Sequence, residues 1–279
     1  MLSRRVPTAE TNAWWKALAA RGVECRIVGS RGGRILAEDV AARMDGRTRV
    51  VAMSWVAFHN GAVLPLAEVG ALCRERGALL VVNAIQGIGA LPLDVGAANV
   101  DVLCADGHKW LYGTEGGAIF YVREAARERV PARALGWWNL ITEGSYLEDR
   151  GTKTHAGARR YEPGVLPTTN LAGLSAALDL LADMGSEAIH RRVLANAAAL
   201  RDGLAARGWK SATPEPLGSG ILGAIPPSGD ARAWAKALEK RGVIVAPREG
   251  LVRFSPHAGN DSGEIARSLA EIDAIGSVE

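Results

Sequence analysis

Lys109 stands where a buried strand would present a side chain to a ligand. The apolar segment VDVLCAD, residues 100–106, is followed directly by Gly107, His108, Lys109 and Trp110. In open α/β sheets, ligands bind beyond the carboxyl ends of the strands. A lysine at such a position can be kept partly deprotonated by its surroundings and can form a Schiff base with a carbonyl compound. The alternative is a surface lysine in a turn, so the neighbouring residues decide between the two.

Two further polar residues are predicted to open onto the same crevice, and a third, Arg253, follows a strand of the smaller domain. Asn83 and Gln86 lie in the apolar run VVNAIQGIG, residues 81–89, which forms the end of the preceding strand. Polar side chains at the end of a buried strand need hydrogen-bond partners. Arg253 follows an apolar strand pattern in LVRFSPHAGN, and a guanidinium there can bind a carboxylate through two hydrogen bonds. The alternative for Arg253 is an ordinary surface ion pair, which contributes little.

The elements that position these residues alternate between strand and helix patterns. From residue 13 to about 122, short apolar runs are separated by amphipathic helices, the first of which ends at Gly22. This alternation predicts strands buried on both faces, as in a mostly parallel α/β sheet. Residues 124–170 are irregular, which is typical of functional or interface loops. We therefore predict a large α/β domain over residues 1–185 and a smaller α+β domain over residues 186–279.

Composition argues against several classes of function. The formal net charge is +3 over 279 residues, with Lys and Arg interleaved among Asp and Glu, which disfavours nucleic acid or a membrane surface as partner. The sequence has no uninterrupted apolar window of about eighteen residues, so we predict no transmembrane helix. It has no apolar stretch behind the basic residues near Met1, so we predict no signal peptide. Because Cys25, Cys73 and Cys104 form no metal-like cluster with the five histidines, we expect no metal and a reducing, cytoplasmic location.

Four motifs, in order along the chain, resemble the class V aminotransferase family. They are VNAIQGIG, GHKW, RRYEPG at residues 159–164 and RFSPHAGN at residues 253–260. This family consists of fold-type I enzymes that use pyridoxal phosphate (PLP), and it includes cysteine desulfurases, selenocysteine lyases and isopenicillin N epimerase-like proteins. The resemblance implies a PLP-transferase fold, with a mostly parallel large domain and a small α+β domain.

The resemblance also implies a role for each motif residue. Lys109 would anchor PLP covalently and carry the proton at the substrate Cα. His108 would contact the cofactor phosphate, and Gln86 would donate to the pyridoxal 3′-oxygen. Asn83 would face the pyridine nitrogen, and Arg253 would clamp the substrate α-carboxylate. In such enzymes the cofactor does the electronic work, while the protein orients it and tunes its ring nitrogen.

The chain departs from the family pattern at several positions. Asn83 replaces an aspartate that keeps the pyridine nitrogen protonated, so the ring should be a poorer electron sink. Val165 replaces a threonine that reaches a phosphate, Phe58 replaces an asparagine of the desulfurase branch, and Asp106 lies near a phosphate-binding serine. Thr8 lies nearest to the position of a ring-stacking aromatic residue or histidine. We also expect the large domain to lack the family's first strand and helix, with their phosphate-binding turn.

Two hypotheses about function follow from these motifs and departures. The first is a PLP-dependent enzyme that acts on an amino acid by transamination, β-elimination or racemisation. The second is a non-catalytic or incomplete member: a truncated frame, half of a split enzyme or a pseudoenzyme subunit. A nucleotide-binding protein is disfavoured because no G-x-G-x-x-G or Walker loop follows a predicted strand. A desulfurase with a sulfur-relay cysteine is disfavoured because no cysteine follows Cys104. The resemblance implies a homodimer or a complementing subunit.

Overall fold

The computed structural model describes residues 2–4, 17–141 and 151–278. The predicted helix over residues 13–22 lies partly outside this range, and residues 17–19 are helical within it. Thr8 lies outside the described residues. Among the described residues, no helix combines the length and apolar character needed to cross a membrane.

A four-stranded mixed sheet forms the centre of the first part of the chain. Strands β3, β4 and β5 are parallel, and β6 pairs antiparallel with β5. A short parallel pair, β1 and β2, forms a separate sheet. The bounds of these strands are Leu2–Arg4 (β1), Ile27–Gly29 (β2), Val50–Ser54 (β3), Leu79–Asn83 (β4), Val102–Asp106 (β5) and Ala118–Val122 (β6). The predicted parallel order therefore holds for β3 to β5, and β6 adds an antiparallel edge.

The register of the central sheet aligns the carboxyl ends of the parallel strands. Asn83 lies opposite Ser54 on β3 and opposite Cys104 on β5. Asp106 ends β5 two residues beyond that level. Because parallel strands all point the same way, the residues that follow β4 and β5 emerge at one edge of the sheet.

Besides the helical residues 17–19, six α-helices and two 3-10 helices flank or connect the sheets in the described residues. The α-helices are Ala37–Ala41 (α1), Leu66–Glu75 (α2), Thr168–Met184 (α3), Ser186–Ala205 (α4), Ala231–Glu239 (α5) and Ser262–Ile275 (α6), and the 3-10 helices are Glu124–Arg129 and Ala158–Tyr161. The start of α6 is fixed by a capping box, in which Asp261 accepts from the Glu264 N–H and Glu264 accepts from the Asp261 N–H. Such a box satisfies donors that a helix start leaves unpaired.

The last part of the chain forms an antiparallel sheet in the order β7-β8-β10-β9. Its strands are Lys210–Ser211 (β7), Leu222–Ile225 (β8), Ala246–Arg248 (β9) and Leu251–Phe254 (β10). Its core is centred on Trp234, which is fully buried and packs edge-to-face on Trp209 with ring centroids 4.8 Å apart. A separate core lies under the central sheet and includes Ile189 and Val193 of α4. The predicted boundary between residues 185 and 186 stays a prediction.

Candidate active site

A cavity of about 650 Å³ lies at the carboxyl edge of the central sheet and extends to the antiparallel sheet. This size is ordinary for a small-molecule site. It brings together four of the residues singled out in the sequence: Asn83, Gln86, Lys109 and Arg253. His108, the fifth, is exposed and is not among the residues that line the cavity.

The loop that carries Lys109 is closed by backbone hydrogen bonds. The Gly107 N–H donates to the Gly117 carbonyl at 2.8 Å, and the Gly113 N–H donates to the Gly107 carbonyl at 2.8 Å. Leu174 of α3 packs directly over this loop, and a Cβ added at Gly113 would lie 2.6 Å from its Cδ1 atom. The glycines on either side of Lys109 therefore allow a helix to hold the loop against the end of β5.

Gln86 has a fixed side-chain orientation. Its Oε1 accepts a hydrogen bond from the indole Nε1–H of Trp110 at 3.1 Å, and its side chain is almost fully buried. An indole nitrogen only donates, so the oxygen end of the Gln86 amide must face Trp110. The NH₂ end is left to donate to another group at the cavity.

The side-chain amide of Asn83, at the end of β4, is likewise held through its oxygen atom. Its Oδ1 accepts from the backbone N–H of Ile85 at 3.0 Å, which forms a short turn that leads the chain out of the strand. Its backbone carbonyl accepts from the Trp55 N–H at 2.9 Å. Within the described residues the Asn83 amide nitrogen has no hydrogen-bond acceptor.

Arg253 approaches the cavity from β10 and is a half-buried guanidinium without a carboxylate partner among the described residues. One terminal nitrogen donates to the Phe58 carbonyl at 3.2 Å, while the buried Nε has no partner. Burial lowers the pKa of Arg253, and the nearby positive charge of Arg248 lowers it further. Burying a cation without a counter-charge costs free energy, so this side chain is suited to bind an anionic ligand.

Two residues to which sequence analysis gave no role complete the wall near Lys109. The Tyr112 hydroxyl lies 2.5 Å from Nδ1 of His257, and the His257 ring stacks on Trp110 with centroids 5.1 Å apart. Tyr112 has a φ of 55°, unusual for a residue other than glycine. Burial lowers the pKa of His257 and raises that of Tyr112. His257 could have been proposed from the sequence, because it lies inside the RFSPHAGN motif.

The positions that depart from the family pattern fall in different places. Phe58 and Asp106 line the cavity. Val165 does not line it and is 78% exposed. The described lining of the cavity therefore includes one acidic side chain, Asp106, and two cationic ones, Arg248 and Arg253, besides Lys109.

The residues present fit a ligand of the PLP type. Around one cavity lie a lysine, two amides whose NH₂ ends have no acceptor in the described part of the chain, and a guanidinium without a carboxylate partner there. Among the described residues, no group of three or more His, Cys, Asp or Glu side chains is arranged to hold a metal ion.

Comparison with known proteins decides the family. The model for the aminotransferase class-V family matches residues 7–250. The chain belongs to the aminotransferase class-V family. The resemblance predicted from the four motifs is thereby confirmed.

Individual members of the family match at moderate identity. An uncharacterized aminotransferase, YcbU, of Bacillus subtilis is 28% identical over 252 residues, which is 89% of this chain and 65% of that protein. A cysteine desulfurase of Salmonella typhimurium is 33% identical over 177 residues, which is 63% of this chain and 43% of that protein. The chain thus spans less than two thirds of the length of either relative.

Solved structures support an α/β fold of the fold-type I class. The cystine C-S lyase C-DES in complex with cysteine persulfide matches with a TM-score of 0.90 and 26% identity, over 97% of this chain and 74% of C-DES. A C-DES variant with glycine covalently linked to its PLP cofactor matches with a TM-score of 0.89. The cysteine desulfurase of Thermococcus onnurineus NA1 shares the fold, with a TM-score of 0.88 and 21% identity.

Proposed function

We propose that this chain binds PLP through Lys109 and acts on an amino acid by transamination, β-elimination or racemisation. The observation that carries this proposal is the shared cavity: Lys109 lines it together with Arg253, whose buried Nε lacks a partner within the described ranges. Membership of the aminotransferase class-V family adds support, since its C-DES neighbour carries PLP. The proposal includes a homodimer or a complementing subunit as the working assembly, in the cytoplasm.

Each residue of the cavity has a distinct task in this proposal. Arg253 binds the α-carboxylate of the amino acid, and the ε-amine of Lys109 removes and returns the proton at its Cα. Gln86 donates from its NH₂ group to the 3′-oxygen of the cofactor, and Asn83 contacts the ring nitrogen. His108 stays a proposed phosphate contact. PLP itself, when bound, supplies the electron-withdrawing ring that acidifies the Cα–H bond.

The second candidate is a non-catalytic member of the family. The observation in its favour is the amide of Asn83, which cannot give the ring nitrogen a charged partner. A member of this kind retains the fold and the cavity without turning over a substrate. Binding of PLP followed by complete inertness toward amino acids would favour this candidate.

The experiment that tests cofactor binding is a titration of the purified chain with PLP. We expect an absorption band in the visible or near-ultraviolet range, and borohydride reduction should fix a pyridoxyl adduct on the peptide that contains Lys109. Lys109→Ala should remove both signals because no other amine lies at that position. Lys240→Ala, a change at an exposed lysine that follows α5, is the matched control and should leave both unchanged. A folded protein without band or adduct would refute the proposal.

A further inference from the structure

The amide of Asn83 has one orientation that its surroundings allow. Its Oδ1 accepts from the backbone N–H of Ile85 at 3.0 Å. A backbone N–H only donates, so the oxygen must occupy this position. Turning the amide over would place its NH₂ group against the Ile85 N–H, and two donors would then face each other. The NH₂ end is therefore the end left for a ligand in the cavity that Asn83 lines.

This orientation makes asparagine chemically different from aspartate at the same place. A carboxylate has two acceptor oxygens, so one can bind the Ile85 N–H while the other accepts from a protonated ring nitrogen. Asparagine offers only its NH₂ to the second partner. An NH₂ group donates to the lone pair of an unprotonated pyridine nitrogen, and it repels an N–H that points toward it.

We propose that Asn83 donates a hydrogen bond to the cofactor ring nitrogen and keeps that nitrogen unprotonated, which restricts the chain to amino acids with a leaving group on Cβ. This inference rests on the proposed binding of PLP. Hydrogen bonds and charges at the ring nitrogen are a principal means by which a protein tunes this cofactor. A neutral ring accepts electron density poorly, so reactions that store an electron pair on it are slow.

β-Elimination makes the smallest demand on the ring. The Cα–H bond breaks and its proton passes to the Lys109 amine, while the electron pair left at Cα forms a Cα–Cβ double bond. The bond from Cβ to the leaving group breaks in the same sequence, and that group departs with its own electron pair. The electrons thus end on the leaving group, and the step needs no oxidant or reductant. Transamination, by contrast, relies on the ring to hold the pair.

The charges around the cavity are consistent with a neutral ring. Arg248 and Arg253 are both cationic and line it, and a protonated ring nitrogen would add a further positive charge. Asp106 is the acidic side chain among the lining residues. It ends β5, whereas Asn83 ends β4, so Asp106 must be tested as a rival partner for the ring nitrogen.

The direct test is the protonation state of the bound cofactor. PLP labelled with ¹⁵N in the ring is bound to the protein, and the ¹⁵N chemical shift is measured by NMR. We expect the shift of an unprotonated pyridine in the natural protein and in Asp106→Asn. In Asn83→Asp, which is close to isosteric, we expect the shift of a pyridinium. A pyridinium shift in the natural protein would overturn the inference while leaving the proposed function intact.

A second readout uses affinity and does not depend on turnover. PLP methylated on the ring nitrogen carries a fixed positive charge and has no lone pair, so it should bind the natural protein at least tenfold more weakly than PLP. Asn83→Asp should reduce or reverse that ratio. Equal affinities in the natural protein would overturn the inference. Failure of unmodified PLP to bind would overturn the proposed function, and this inference with it.

The reaction itself supplies the last readout. With PLP bound, β-chloroalanine should release chloride and pyruvate, whereas L-alanine with a keto-acid acceptor should give a rate at least 100-fold lower. Asn83→Asp should raise the rate with L-alanine relative to that with β-chloroalanine. Faster transamination than elimination in the natural protein would contradict the restriction to substrates with a leaving group.

Discussion

The two sides of the cavity differ in how completely the protein satisfies their polar groups. On the side of the central sheet, the oxygens of Asn83 and Gln86 are both held by donors within the protein. On the side of the antiparallel sheet, the Nε of Arg253 is buried and has no hydrogen-bond partner among the residues that the structure describes. The two amide side chains on the central-sheet side therefore have one orientation before any ligand binds. The second side contains a charge that a ligand is needed to balance.

This contrast has a physical basis. A neutral amide loses little when only part of its hydrogen-bonding capacity is used, whereas a buried, unpaired guanidinium retains a large desolvation cost. Arg207 illustrates the usual solution, since it binds both carboxylate oxygens of Asp273, at 2.7 and 2.6 Å. Arg253 lacks such a carboxylate in the described part of the chain, which suggests a binding role and argues against a stabilising one.

The largest expected effect is on ligand binding and comes from removing the guanidinium of Arg253. Arg253→Met should weaken binding of L-alanine to the PLP-bound protein by about 10- to 100-fold, the value of a charge-assisted hydrogen bond. Binding of ethylamine, which lacks the carboxylate, should not change. Because Arg253 has no ion pair among the described residues and donates a single long hydrogen bond, to the Phe58 carbonyl at 3.2 Å, the free energy of unfolding should fall little. Binding is measured by absorbance titration and stability by urea unfolding.

Arg207→Met is the matched control for that experiment. It removes the ion pair with Asp273, so the free energy of unfolding should fall by up to about 1 kcal/mol, as for an exposed pair of good geometry. L-Alanine binding should be unaffected. A large loss of stability in Arg253→Met, with unchanged binding, would show that the comparison between the two arginines is wrong.

Substitutions of Gln86, on the side of the central sheet, should measurably lower the free energy of unfolding, unlike the substitution of Arg253. Gln86→Leu leaves the indole N–H of Trp110 without an acceptor and should cost about 1–3 kcal/mol in the free energy of unfolding. Gln86→Glu keeps an acceptor for Trp110 but removes the NH₂ donor, so it should lose less stability while weakening PLP binding. The two variants separate the structural contact from the proposed cofactor contact. Equal stability of both would show that the Trp110 contact contributes nothing.

The smallest expected effect concerns Tyr112 and His257, which join the two sides. Burial lowers the pKa of His257 below its unfolded value of about 6.5, so below that pH the unfolded chain binds more protons. The contribution to stability is thus present above pH 6.5 and lost as the pH falls. Tyr112→Phe should cost about 0.5–1.5 kcal/mol at neutral pH, and less at a pH low enough to protonate His257 in the folded protein, because protonated His257 no longer accepts from the hydroxyl.

Urea unfolding of the natural protein and Tyr112→Phe, over a series of pH values from 7.5 downward with His257 protonation followed by NMR, measures this difference. Burial lowers the pKa of His59 too. The same comparison is therefore repeated with His59→Gln present in both proteins, which removes the contribution of His59. A cost of Tyr112→Phe that stays the same while His257 becomes protonated in the folded protein would exclude a coupling between the hydroxyl and the His257 proton.

Much of the architecture follows from local sequence. The short apolar runs predicted between residues 13 and 122 correspond to β3, β4 and β5. The apolar pattern of VECRIV, residues 23–28, is longer than the strand that forms there, since β2 spans only Ile27–Gly29. Strand length depends on pairing with a neighbour, which local sequence does not specify. The antiparallel direction of β6 was likewise not visible in its apolar pattern.

The sequence by itself determined the family, through four ordered motifs, and the set of residue types available for chemistry. Lys109, Asn83, Gln86 and Arg253 were recognisable because a polar residue at the end of an apolar strand is conspicuous. Only the tertiary structure decided which end of each amide is used and that Arg253 lacks an ion-pair partner in the described residues. It also brought Tyr112 to His257, 145 positions away. The reason is that hydrogen-bond direction and charge pairing depend on atoms from distant segments, whereas strand and helix patterns are local.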